Sequence, residues 1–173
     1  MSNNVKAHYV RGLLVLADLK KFDASLRNGA EKTEYIRLLR QMLVALDNYS
    51  EFMTANLSKL ISSDDRLTTL KRNIKKLIKK IHWLRSNVVA HISPKIIENV
   101  VCSKPLIFNG HKTRKERMKV AQLMFIESAV NFIFEQEDLN FSSDVDADQF
   151  VKWMQNVAEM AIEITERTID LLE

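Results

Sequence analysis

The sequence predicts an all-α protein, a bundle of four long helices with a shorter helix after a central motif. Only three glycines and two prolines occur in 173 residues, so few positions interrupt regular structure. Apolar residues recur three and four positions apart over long stretches, which is the spacing of a helix packed on its neighbours. With 46% hydrophobic residues, a chain of this length fits a single domain, residues 1–173, with a substantial core.

The first two helices are expected at residues 5–26 and 31–61. The first would end at Arg27-Asn28-Gly29, where a glycine can act as a C-cap. Its predicted inward positions are Val10, Leu13, Leu14, Ala17 and Leu26. The second has a predicted bend near residues 47–50, and its apolar residues at helical intervals are Tyr35, Leu38, Leu39, Met42, Leu46, Tyr49, Met53, Leu57 and Leu60.

The third helix is the element around which the rest is arranged. It is expected to begin after Ser62-Ser63-Asp64-Asp65, whose side-chain oxygens can accept hydrogen bonds from the first amides. Pro94 disfavours helical geometry at the preceding residue, so the helix should end near His91 or Ile92. Its apolar seam consists of Leu67, Leu70, Ile74, Leu77, Ile81, Leu84 and Val88.

The remaining chain is predicted to hold a short helix at 95–101, a loop at 102–110, a helix from about 112 to 136, and a last helix to the C-terminus. Asp144 or Asp146 would cap the last helix. Cys102, the single cysteine, is expected to be buried in a reducing, cytoplasmic environment. No stretch has the length of a membrane span or the apolar core of a signal peptide. The histidines show no metal-ligand spacing, so neither a metal nor a cofactor is expected.

Arg85, Asn87 and His91 lie where the apolar seam of the third helix ends. With α-helical geometry, Asn87 and His91 are one turn apart on almost the same line, and Arg85 borders the seam from its other side. A histidine at such a position can simply pack in the core, and an arginine beside it can be a charge at the rim. The string Arg85-Ser86-Asn87-Val88-Val89-Ala90-His91, however, resembles the signature of the HEPN superfamily, and in particular its abortive-infection branch.

The resemblance implies a ribonuclease that needs no metal. His91 would take the proton of the RNA 2′-hydroxyl and could return it to the leaving oxygen. Arg85 would stabilise the charged transition state, and Asn87 would orient His91 or the phosphate. The polar residue usually follows the arginine directly, so Ser86 competes with Asn87 for that role. Arg85 and His91 lie about 9 Å and about 120° apart on one α-helix. We therefore expect a homodimer whose two-fold axis completes the site, and an inactive monomer.

Charge is strongly segregated along the chain. Between Arg66 and Val120 there are 15 basic residues and two acidic ones, whereas residues 121–173 hold two basic and 12 acidic ones. The basic residues of the third helix could pair with the acidic last helix, or they could bind an RNA backbone. The predicted nucleic-acid contacts are Lys71, Lys75, Lys76, Lys79, Lys80 and His82.

These features favour a cytoplasmic endoribonuclease, acting as a toxin or phage-defence effector, with RNA as substrate and an antitoxin protein as a further partner. The rival interpretation is a non-catalytic HEPN-like module that binds nucleic acid or a protein. A third is a structural or antitoxin-like bundle in which His91 is a packing residue. The sequence does not distinguish tRNA from mRNA as the substrate.

Overall fold

The structure, a computed structural model, describes residues 3–28, 32–54, 64–90, 94–103, 113–135 and 147–173. These segments are helical or border helices, so the predicted all-α class is confirmed. The helices are α1 (Asn3–Arg27), α2 (Lys32–Thr54), α3 (Asp65–Leu84), α4 (Pro94–Ser103), α5 (Arg114–Glu135) and α6 (Ala147–Asp170). A π-helical segment, π1 (Arg85–Ala90), continues α3.

Four long elements form the predicted bundle. α1 packs between α2 and α6, and α3 with π1 packs against the same two helices from the other side. α5 also has 22 residues, but it packs mainly on α4 and π1. In the parts of the chain that the structure describes, no helix is both long and apolar enough to span a lipid bilayer.

α2 buries six of the positions that its periodicity predicts, and α6 has a buried apolar face. On α2 these positions are Leu38, Leu39, Met42, Leu46, Tyr49 and Met53, and α2 stays helical through residues 47–50. On α6, Met154, Val157, Ala161 and Ile164 are fully buried. The predicted positions Leu57 and Leu60 lie outside the described residues.

The predicted inward face of α1 is wrong. Val10, Leu13, Leu14 and Ala17 are exposed, Leu14 by 64%. Apart from Asp23, the buried positions are Gly12, Val15, Leu19 and Leu26, of which only Leu26 was predicted. Residues 13–17 are all apolar, so hydrophobic periodicity does not select one face of the helix.

Close approach at Gly12 selects the face of α1 that packs. A Cβ atom at this position would lie 3.1 Å from Phe52 Cζ of α2 and 3.1 Å from Ile169 Cγ1 of α6. Both distances are shorter than ordinary van der Waals contacts, and both neighbours are buried. The absence of a side chain therefore lets three helices meet at this point.

α3 begins and packs as its sequence predicts. Asp64 is the N-cap, and its Oδ1 accepts a hydrogen bond of 2.9 Å from the Leu67 amide. Leu67, Ile74, Ile81 and Leu84 are buried, while Leu70 and Leu77 are half-buried. The burial predicted for Cys102 is wrong, because this residue lies on an exposed position of α4.

The acidic side chains of α6 pair mainly with α1 and with the start of α3. Glu159 and Glu166 contact Arg27 and Lys20, both at 2.5 Å. Glu163 Oε1 lies 2.9 Å from Arg66 Nε, and that hydrogen bond is the main cause of a lowered pKa at Glu163. The pKa of Asp64 is lowered chiefly by the Leu67 amide and then by the charge of Arg167.

Gly12→Val should destabilise the fold by about 1–3 kcal/mol, because the added methyl groups must displace buried Phe52 or Ile169. Chemical denaturation of the purified protein measures this change. Ala17→Val is the matched control on the exposed side of α1, with an expected cost below about 1 kcal/mol. Equal losses for the two variants would contradict the close approach at Gly12.

Thermal stability should fall as the pH is lowered below about 4.5. Asp64 and Glu163 have folded-state pKa values below their ordinary 3.8 and 4.5, so the unfolded chain binds protons first. Their contribution is present above the unfolded-state pKa values and is lost as the pH falls through the folded-state values. Melting temperatures from pH 6 to pH 2.5 should therefore decline less steeply in Asp64→Asn/Glu163→Gln than in the unchanged protein. The exposed Asp170→Asn is the control, and an unchanged decline in the double variant would contradict this assignment.

Candidate functional site

One buried carboxylate holds two basic side chains at the junction of α3 and π1. Asp47 of α2 accepts a 2.8 Å hydrogen bond at Oδ1 from His82 Nδ1. Its other oxygen, Oδ2, lies 3.3 Å from Arg85 Nε in an ion pair. Each carboxylate oxygen therefore has its own basic partner.

Helix geometry explains why these three residues meet. Ile81 and Leu84 belong to the buried seam of α3, and His82 and Arg85 follow them by one position each. Residues three apart on a helix share a face, so both side chains reach the same point on α2. Asp47 lies beside buried Leu46, and a carboxylate in such a place is costly unless it is paired and hydrogen-bonded.

The two basic side chains remain accessible while the acid does not. The side chains of His82 and Arg85 are 67% and 41% exposed, compared with 9% for Asp47. Because Nδ1 of His82 bonds to Asp47, Nε2 is the ring nitrogen that is left for another molecule. This is the arrangement in which a buried acid orients an imidazole for proton transfer.

A cleft of about 450 Å³ opens beside His82. Its lining comes from α2, α3 and π1 and consists of Ser50, Ile78, Lys79, His82, Trp83, Ser86 and Asn87. One imidazole, one lysine and two hydroxyl groups thus face a single open space next to the Asp47 cluster. The cleft therefore offers a few polar contacts within a lining whose accessible surface is mainly apolar.

The segment from Arg85 to Ala90 is π-helical, which the sequence did not predict. Hydrogen bonds from i to i+5 place more residues in each turn than an α-helix does, so the α-helical angles assumed for Asn87 and His91 do not apply here. Asn87 Nδ2 donates a 2.9 Å hydrogen bond to the Trp83 carbonyl oxygen. Single π-helical turns occur frequently at functional sites. His91 lies outside the described residues, and its pairing with Arg85 stays a prediction.

Lysines of α3 form a row that leads to the cleft. Lys71, Lys75 and Lys79 are spaced by four, His82 follows three residues later, and Lys76 lies beside them. Lys75, Lys76 and Lys79 are exposed and Lys71 is half-buried, whereas Lys80 is only 3% exposed. We call Lys71, Lys75, Lys76 and Lys79 the lysine row.

The lysine row does not pair with the acidic last helix. Within the described part of the chain, none of its four ammonium groups has a carboxylate within 4.0 Å. Glu159, Glu163 and Glu166 of α6 contact arginines and a lysine elsewhere. Among the described residues, nothing acidic therefore competes with an anion from solution for the row.

Comparisons with protein-family models, curated proteins and solved structures found no match to this chain. Over the described ranges, no group of three or more histidine, cysteine or acidic side chains is placed to hold a metal ion. Support for a functional site therefore comes from the geometry of the described residues.

Sequence reasoning missed Asp47. The only feature of the sequence that points to Asp47 is its position on the packing face of α2. It lies beside Leu46 and one turn after Leu43, both of which are buried. An acid at such a position needs a basic partner, and α3 offers His82 and Arg85 three residues apart. No residue pattern in the sequence indicates the π-helical turn.

Proposed function

We propose that the protein is a metal-independent endoribonuclease of HEPN type that acts as a homodimer. The observation that carries this proposal is the place of Arg85: a half-exposed guanidinium, held by buried Asp47, at the end of the lysine row. Arginine binds phosphate with fixed donor geometry, and an anchored side chain loses less freedom on binding. The HEPN resemblance of the motif from Arg85 to His91 supplies the reaction.

The proposed reaction is transesterification of RNA. The 2′-hydroxyl attacks the adjacent phosphorus while His91, as the resemblance implies, takes its proton. Arg85 stabilises the negative charge that grows on the phosphoryl oxygens. Ser86 or Asn87 supplies the polar contact of the motif, and Ser86 is the more available because the Asn87 amide already donates to Trp83.

The lysine row would hold the RNA backbone. Four ammonium groups without carboxylate partners in the described structure release counterions when they contact phosphates, which supplies affinity without sequence preference. The row leads along α3 to Lys79 and His82 at the cleft. A strand bound along it would bring one phosphodiester to Arg85.

A dimer would bring His91 of one protomer to Arg85 of the other, as the resemblance implies. A toxin or phage-defence role, with an antitoxin as partner, follows from the same resemblance.

The rival function, nucleic-acid binding without catalysis, uses the same lysine row, so cleavage itself must be measured.

Purified protein should cleave single-stranded RNA in excess chelator, and both Arg85→Ala and His91→Ala should lose about 100-fold or more of that rate. Gel analysis of an end-labelled RNA measures the loss. Arg37→Ala, an exposed arginine on α2 that pairs with Glu34, is the matched control and should keep full activity. RNA binding without cleavage would favour the non-catalytic module, and cleavage that survives both substitutions would contradict the proposed site.

Mixing the Arg85→Ala and His91→Ala proteins should restore part of the activity. In a heterodimer one composite site keeps both side chains, whereas each homodimer has none. The rate of the mixture, after subunit exchange, measures this. A mixture as inactive as its components, despite proven exchange, would contradict a site shared between protomers.

Lys75→Gln/Lys79→Gln should weaken RNA binding and reduce its salt dependence. Losing two phosphate contacts to single-stranded RNA lowers the slope of log K against log salt by about 1.4. Fluorescence anisotropy over a salt series measures the slope. Lys20→Gln, which removes a pair with Glu166 on another face, is the control. An unchanged slope in the double variant would remove the lysine row from the interface.

A further inference from the structure

The proposed reaction needs a second proton transfer, for which the motif offers only His91, the base of the first step. When the P–O5′ bond breaks, the departing oxygen is a poor leaving group unless it receives a proton. We propose that His82, oriented by Asp47, is the general acid that supplies this proton. This inference rests on the proposed ribonuclease function and names one more catalytic residue for it.

The hydrogen bond to Asp47 prepares the imidazole for this step. Asp47 Oδ1 accepts the Nδ1 proton at 2.8 Å and fixes the ring orientation. Proton exchange is then left to Nε2, on a side chain that is 67% exposed and lines the cleft. A solvated surface histidine that only contacts phosphate would not need a buried carboxylate on Nδ1.

The position of His82 relative to Arg85 also suits proton transfer to the leaving oxygen. Both side chains contact the same carboxylate, at Oδ1 and Oδ2, so the acid and the phosphate-binding cation are held side by side. Lys79, one turn before His82, lines the same cleft and can hold the phosphate on the leaving-group side. The 5′-oxygen of a phosphodiester bound to Arg85 would therefore lie near the imidazole.

The step balances without an added co-reactant. The 2′-oxygen bonds to phosphorus, its proton passes to His91, and the P–O5′ bond breaks with both electrons going to O5′. The Nε2 proton of His82 moves to O5′. The products are a 2′,3′-cyclic phosphate and a 5′-hydroxyl end. His91 then releases its proton to water, and His82 takes one up from water.

A substrate with sulfur in place of the bridging 5′-oxygen tests this role. A thiol is a far stronger acid than an alcohol, with a pKa of about 8.5 in cysteine, so a thiolate leaves without a general acid. On the oxygen substrate, His82→Asn should lose about 10²–10⁴-fold in cleavage rate. On the sulfur substrate, the same variant should cleave within about 10-fold of the unchanged protein.

The variants are chosen to separate catalysis from folding. In His82→Asn, the side-chain amide can still donate a hydrogen bond to Asp47. The melting temperature of this variant shows whether the fold is kept. Arg85→Ala should be slow on both substrates, because charge stabilisation is needed with either leaving group. His8→Asn, on α1, is the matched control and should behave like the unchanged protein on both.

The outcomes distinguish this inference from the function on which it rests. A loss restored by the sulfur substrate supports His82 as the acid. An equal loss on both substrates, or no loss on either, overturns the acid role while leaving the ribonuclease proposal in place. Failure of the unchanged protein to cleave either substrate overturns both.

Discussion

Asp47 is the contact on which the arrangement of the site depends. Its carboxylate lies between α2 and the end of α3, where a charge is stable only because His82 and Arg85 bind its two oxygens. The same contact ties the two helices together and orders two basic groups that still face solvent. Without Asp47, both side chains would sample many rotamers, and a bound phosphate would have to order them.

Charge is distributed so that this site stays electropositive. Glu159, Glu163 and Glu166 of α6 are engaged with α1 and with Arg66 at the start of α3, far along the helix from Arg85. Further along α3, the lysine row has no carboxylate partner among the described residues, so its field is not cancelled locally. The bundle thus uses its acidic helix for stability on one side and leaves a basic surface on the other.

The sequence predicted the helices that have one clear apolar face. The Asp64 cap and the seam of α3 could be identified from residue types and spacing, and so could the buried face of α2. The buried face of α1 could not be identified, because residues 13–17 are all apolar. The choice of that face depends on the close approach of Gly12 to Phe52 and Ile169. At the site, Arg85 was identified from the motif and His82 from the basic charge around it. The role of Asp47 could not be predicted, because it depends on how α2 and α3 pack together. The π-helical geometry of π1 could not be predicted either, because such predictions assume α-helical periodicity.

The most direct test of this account is a double-mutant cycle in RNA cleavage between Asp47→Asn and Arg85→Gln, in chelator and at fixed salt. If Asp47 acts by holding Arg85, the double variant should be little slower than the slower single variant. If the two losses multiply, Asp47 does not act through Arg85, and the central claim that this carboxylate holds the phosphate-binding cation is contradicted.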